Sequence, residues 1–232
     1  MRQIITVALV SFLPYSGAPE QNLSRIAGYI RAAVKRGADL VLFPHAALSG
    51  LTGSAPEERC RAAQELAALT RELSAYVVFG AVTAESTPRH EAVVCTPGGQ
   101  AICLTRSPER AQLIDTHWGT IGIVFLDDFG GVEHAYANGA RLVLNPAACG
   151  AAESAHFHEE LTACAAQYQI FFASANWAAG GACILGPGEG ANGTAVYLNG
   201  LPTKAAGCAP ELHIHTIDLS AADARTLCVP SE

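Results

Sequence analysis

Charge is scarce in this chain. Only 15% of its 232 residues are Asp, Glu, Lys or Arg, and the formal net charge is -7. A basic face for nucleic acid or an anionic membrane surface is therefore not expected. Long apolar runs are missing too. None reaches the roughly 18 residues of a membrane-spanning helix. No charged leader with a cleavage site precedes the first apolar run, so no secretory signal is expected. Eight cysteines are present, yet no C-x-x-C pair and no zinc-like spacing. Buried thiols in a reducing cytoplasm are the expectation, with no cofactor and no structural metal. No G-K-[ST] follows Gly186-Pro-Gly-Glu-Gly190, so that stretch reads as a turn and not as a phosphate loop.

What is abundant is core-forming sequence, since hydrophobic residues make up 50% of the chain. Short, mostly β-branched apolar runs predict strands at Ile4–Phe12, Leu40–Phe43, Tyr76–Val82, Ala92–Cys95, Ala101–Leu104, Ile121–Leu126, Leu142–Leu144, Ile170–Ala173, Thr194–Leu198 and Leu212–Leu219. Helical periods fall between them. Leu23, Ile26, Ile30 and Val34 form one stripe that stops at Gly37. Pro56 opens a second helix, with Leu66, Leu69 and Leu73 on its inner face. Val132, Ala135 and Tyr136 suggest a third, and Phe157, Leu161, Cys164 and Tyr168 a fourth. The class is α/β, in one domain of this length.

One internal echo is present. Gly37-Ala-Asp-Leu-Val-Leu-Phe-Pro-His-Ala46 matches Gly139-Ala-Arg-Leu-Val-Leu-Asn-Pro-Ala-Ala148. Each copy ends a helix on Gly and feeds a buried strand that ends on Pro. Two pseudo-symmetric halves are expected, about 1–118 and 119–232. Their sheets would pack face to face beneath outer helices, as a four-layer α-β-β-α sandwich.

These strings, with Ile5-Thr-Val-Ala-Leu-Val10, Leu48-Ser-Gly50, His156-Phe-His-Glu-Glu-Leu161 and Ala173-Ser-Ala-Asn176, resemble the nitrilase, or carbon–nitrogen hydrolase, superfamily. The resemblance implies the same sandwich, commonly assembled as a homodimer or larger homo-oligomer. It also implies a Glu–Lys–Cys triad that attacks amides or nitriles through a thiolate. The triad positions depart from that pattern. His45 stands where the glutamate follows its Pro. Ser107, after Arg106, stands where the lysine follows an arginine. Val124, after Gly122-Ile123, stands where the cysteine is expected, and valine has no lone pair with which to attack a carbonyl. The stretch from Ser107 to Trp118 is also short for a covering loop.

The expected reading is a degenerate, non-catalytic member of that superfamily that binds a small molecule or acts as an assembly partner. The candidate binding residues at the strand ends are His45, Asp127, Asn145, Cys149, His156 and Trp177. Asp127 and Asp128 are expected to cap a helix near Gly130. The alternative is an active carbon–nitrogen hydrolase rebuilt around a Cys149 nucleophile and a His45 base.

Overall fold

The computed structural model describes residues 3–107, 109–150, 154–178, 182–185, 196–198 and 211–222, with backbone alone at 154–155, 182–185, 196–198 and 211. The chain runs β1 (Ile4–Ser11), α1 (Pro19–Lys35), β2 (Leu40–Leu42), α2 (Pro56–Leu73), β3 (Tyr76–Val82), β4 (His90–Cys95), β5 (Ala101–Thr105) and β6 (Gln112–Thr116). It continues through β7 (Gly119–Ile123), α3 (Gly131–Ala137), β8 (Leu142–Pro146), α4 (Ser154–Tyr168), β9 (Phe171–Ala175), β10 (Ala182–Leu185), β11 (Val196–Leu198) and β12 (Glu211–Asp218).

Two sheets form, in the orders β12-β1-β2-β3-β4-β5 and β11-β10-β9-β8-β7-β6. In each, three consecutive parallel strands joined by helices are followed by two antiparallel ones. β12 returns to pair with β1, and β6 pairs with β7 in the other sheet.

Alternation along the strands creates three apolar layers. Ile5, Val7, Leu9, Leu40, Leu42 and Val78 face Ile121, Ile123, Leu142, Leu144 and Ala173 between the sheets. Ala8, Val10, Val41 and Phe43 point the other way, onto Ile26 and Ile30 of α1 and Leu66 of α2. Val143 and Phe172 do the same on the second sheet, against Val132 of α3 and Phe157 and Leu161 of α4. Each buried aliphatic or aromatic side chain contributes about 1.5–3 kcal/mol. The result is the expected four-layer α-β-β-α sandwich.

The helix boundaries follow local chemistry. Pro56 begins α2, and Glu58 Oε2 reaches back to accept the Ala55 N–H at 2.8 Å. α1 and α3 end just before Gly37 and Gly139, whose φ values of 90° and 78° suit glycine. Sequence patterning misses β6 and β10. The strand expected at Ile121–Leu126 stops at Ile123. Residues 186–190 and the first part of the Thr194–Leu198 run lie outside the described residues.

Candidate functional site

The chain leaves β2 through Phe43 and Pro44 and turns at Ala46, which takes a left-handed φ of 56°. That turn puts His45 between the sheets, fully buried. Its N–H donates to Ala147 O at 2.9 Å, and its carbonyl accepts from Trp177 Nε1 at 2.9 Å. The imidazole packs on Gly80 of β3. A Cβ at Gly80 would lie 2.5 Å from His45 Cα and 2.6 Å from its Nδ1, so only glycine fits there.

His90, at the start of β4, closes the other side. Its Nδ1 lies 2.8 Å from His45 Nε2, so one ring donates and the other accepts. Burial, reinforced by positive charge on His90 and Arg106, pushes His45 down to about 3. Burial and Arg106 also lower His90. Both shifts favour the neutral imidazoles.

Arg106 follows β5 beside His90, whose carbonyl accepts the Arg106 N–H at 2.8 Å. Its Nε donates to Asp128 Oδ2 at 3.0 Å. The guanidinium therefore crosses from the first sheet to the loop after β7, and Asp128 serves as its ion-pair partner. The expected capping role for the aspartates is not what forms, because α3 has no side-chain cap. Ser107 is half-exposed and turns back toward Arg110, whose N–H it accepts at 3.3 Å. The chain's two lysines are Lys35 and Lys204. Lys35 is exposed in the last turn of α1, away from this cluster.

Val124 is buried against Val132, Phe157 and Phe172 on the helix side of the second sheet. The strained turn comes two residues later. Leu126 has a φ of 51°, a conformation that costs a non-glycine residue about 1–2 kcal/mol. Asn145 holds it there. Its Nδ2 donates to Leu126 O at 2.9 Å and to Val124 O at 3.4 Å, while its Oδ1 accepts from Ser174 Oγ at 2.9 Å. Both sides of that amide are engaged with the protein, and Asn145 thereby positions the turn.

Leu126 opens onto a cavity of about 470 Å³ lined also by Asp127, Ala148, Cys149, His156, Phe157 and Glu160. The structure thus brings Asp127, Cys149 and His156 to one wall, apart from the His45–His90 pair. The Cys149 N–H donates to Asn176 Oδ1 at 2.8 Å, and its thiol donates to Gly150 O at 3.4 Å. His156 is exposed, 3.4 Å from Glu160 Oε1. Trp177 is half-buried, and its indole lies over the His45 carbonyl. No group of three or more His, Cys, Asp or Glu among the described residues is placed to hold a metal. No helix among them is long and apolar enough to cross a membrane.

Sequence reasoning missed His90 and Leu126. The histidine is an ordinary strand residue until the fold carries it across 45 positions to His45. The leucine is marked only by its backbone dihedral.

The two-sheet sandwich is shared with solved structures, and part of the sequence matches a known family. Residues 6–109 match the sequence model of the carbon-nitrogen hydrolase family. A structure of Nit3 from Saccharomyces cerevisiae, a member of branch 10 of the nitrilase superfamily, aligns at TM-score 0.80 and 21% identity, over 98% of this chain and 95% of that one. An amidase from Nesterenkonia sp. aligns at TM-score 0.76 and 19% identity, over 97% and 95%. The Nesterenkonia sp. AN1 amidase carrying the acetamide moiety of fluoroacetamide on its active-site cysteine aligns at 0.73 and 19%, over 95% and 93%. A search of curated protein sequences gave no match. The chain therefore has the fold of these nitrilase-superfamily structures, and residues 6–109 match the carbon-nitrogen hydrolase family in sequence.

Proposed function

We propose that this chain is a non-catalytic nitrilase-superfamily protein that binds a small molecule in the cavity beside Leu126. The observation that carries this reading is Leu126 itself. An aliphatic side chain holds the left-handed turn that opens on the cavity, and it offers no lone pair for attack on a carbonyl. Two further features support it. His45 is buried and its basicity suppressed, so it is a poor proton acceptor from a thiol. Arg106 is paired with Asp128, which offsets the positive charge an oxyanion would need. Asp127, Cys149, His156 and Phe157 contribute the polar and apolar contacts to the ligand. The chain works as a homodimer or larger homo-oligomer, which light scattering on the purified protein checks.

Isotope-labelled protein titrated with small aliphatic amides and nitriles tests the reading. Saturable shifts at the Leu126, Cys149 and Phe157 amides are expected, with the added compound unconsumed. Consumption of the compound at an enzyme-like rate would refute it.

One observation favours a second reading, an active hydrolase using Cys149. This thiol lines the same cavity as His156 and Glu160, and the His45 N–H is bonded to the loop that carries it. That reading requires Cys149 to be alkylated faster than every other thiol and Cys149→Ala to abolish turnover. Equal turnover in the variant would end it.

A further inference from the structure

Two thiols line a groove remote from the cavity beside Leu126, with a third buried beneath it. α2 lies over β4 and β5, and its direction is fixed at two points. Near one end Arg59 Nε pairs with Glu91 Oε2 at 3.5 Å, and Glu91 stands opposite Thr105 in the ladder. Near the other, Arg71 covers Gly99, where an added Cβ would come 3.1 Å from Arg71 Cδ. α2 and β5 therefore run antiparallel. From Thr105 back to Gly99 the strand covers roughly 20 Å at its usual rise. From Arg59 to Arg71 the helix covers roughly 18 Å. On this scale Cys103 sits level with the helical turn from Cys60 to Ala63.

The side chains agree with that level. Cys60 and Cys103 are both exposed and line one groove of about 630 Å³, with Arg59, Ala63 and Glu91. Val93 stands opposite Cys103 and Cys95 opposite Ala101, so Cys95 and Cys103 are diagonal neighbours on the face beneath α2. The Cys95 thiol donates to Ala63 O at 3.8 Å, which seals it under the helix. Burial pushes Cys95 up to about 12, leaving it unreactive.

We propose that Cys60 and Cys103 form a redox-reversible pair that closes into a disulfide and staples α2 to the edge strand β5. The oxidant is a small disulfide such as oxidised glutathione. The Cys60 thiolate attacks one of its sulfurs; the S–S bond breaks, one glutathione leaves as thiolate and a mixed disulfide remains on Cys60. Cys103 gives its proton to solvent and attacks Cys60 Sγ, expelling the second glutathione. Two protein thiols are oxidised by two electrons, and the small disulfide is reduced by the same two. Burial holds the Cys103 thiol above its ordinary value, so its attack relies on its closeness to the mixed disulfide on Cys60. β5 is an edge strand with an exposed outer face, so it has room to move toward the helix.

Peptide mapping of the whole chain after incubation with oxidised glutathione decides this. The expected product is a peptide pair joining Cys60 to Cys103, with the intact mass lowered by two hydrogens and restored by dithiothreitol. Cys60→Ser and Cys103→Ser should each abolish the link while leaving the circular dichroism spectrum unchanged. A glutathione adduct that persists on either sulfur, a link through Cys95 or Cys149, or no reaction at either sulfur would overturn the proposal.

Discussion

His45 is neutral because its surroundings make a charge costly there, and that has a measurable sign. Its folded pKa lies below the unfolded value of 6.5, at about 3. Between those two values the unfolded chain binds the proton and the folded chain does not. Stability is therefore fully present above the unfolded pKa and falls as pH drops from about 6.5 toward 3, by up to about 1.4 kcal/mol per pH unit from this one group. His90, lowered in the same direction, adds to the slope. Urea unfolding between pH 7 and pH 4 should show the fall, and His45→Gln should flatten it. The glycine beneath the ring makes a second demand. Gly80→Ala places a methyl group inside the van der Waals envelope of His45, so an unfolding titration at pH 7 should show a loss of about 2–3 kcal/mol. His45 was readable in the sequence because it follows the Pro that ends a buried strand. The strained residue was not. Val124 and Leu126 are both apolar, and only the backbone turn held by Asn145 tells them apart.

At the scale of elements, period-2 and period-3.6 patterns located every helix and most strands. Tyr76–Val82 and the two glycine-terminated helices came out as read. β6 escaped because Gln112, Asp115 and Thr116 break its apolar pattern, as suits a strand at the edge of its sheet. The α2–β4 contact depends on an ion pair that no periodicity announces. Arg59 and Glu91 are 14% and 11% exposed, and removing one leaves the other nearly desolvated. Glu91→Ala should cost roughly 3 kcal/mol in an unfolding titration, and Arg59→Ala, Glu91→Ala together less than the two singly added. Equal and additive losses would mean that the pair contributes only as separate side chains.

Across the whole molecule, the sandwich was legible because the string G-A-x-L-V-L-x-P-x-A recurs at 37–46 and 139–148, each time as a helix ends and a buried strand begins. We read the chain as one domain of two half-repeats, about 1–118 and 119–232. The β-α-β-α-β-β-β order found in both sheets supports that division. The site was only partly legible, since the polar cluster is assembled from the ends of β2, β4 and β5, and the cavity beside it from the loops after β7 and β8 and from α4. In this chain the His45 imidazole is held low, the Arg106 guanidinium is paired with Asp128, and Leu126 takes the left-handed turn after β7. The most direct measurement is ammonia release from small amides and nitriles by the purified protein, with Cys149→Ala alongside. The account predicts no saturable release by either protein. Saturable release by the parent chain that disappears in the variant would contradict it.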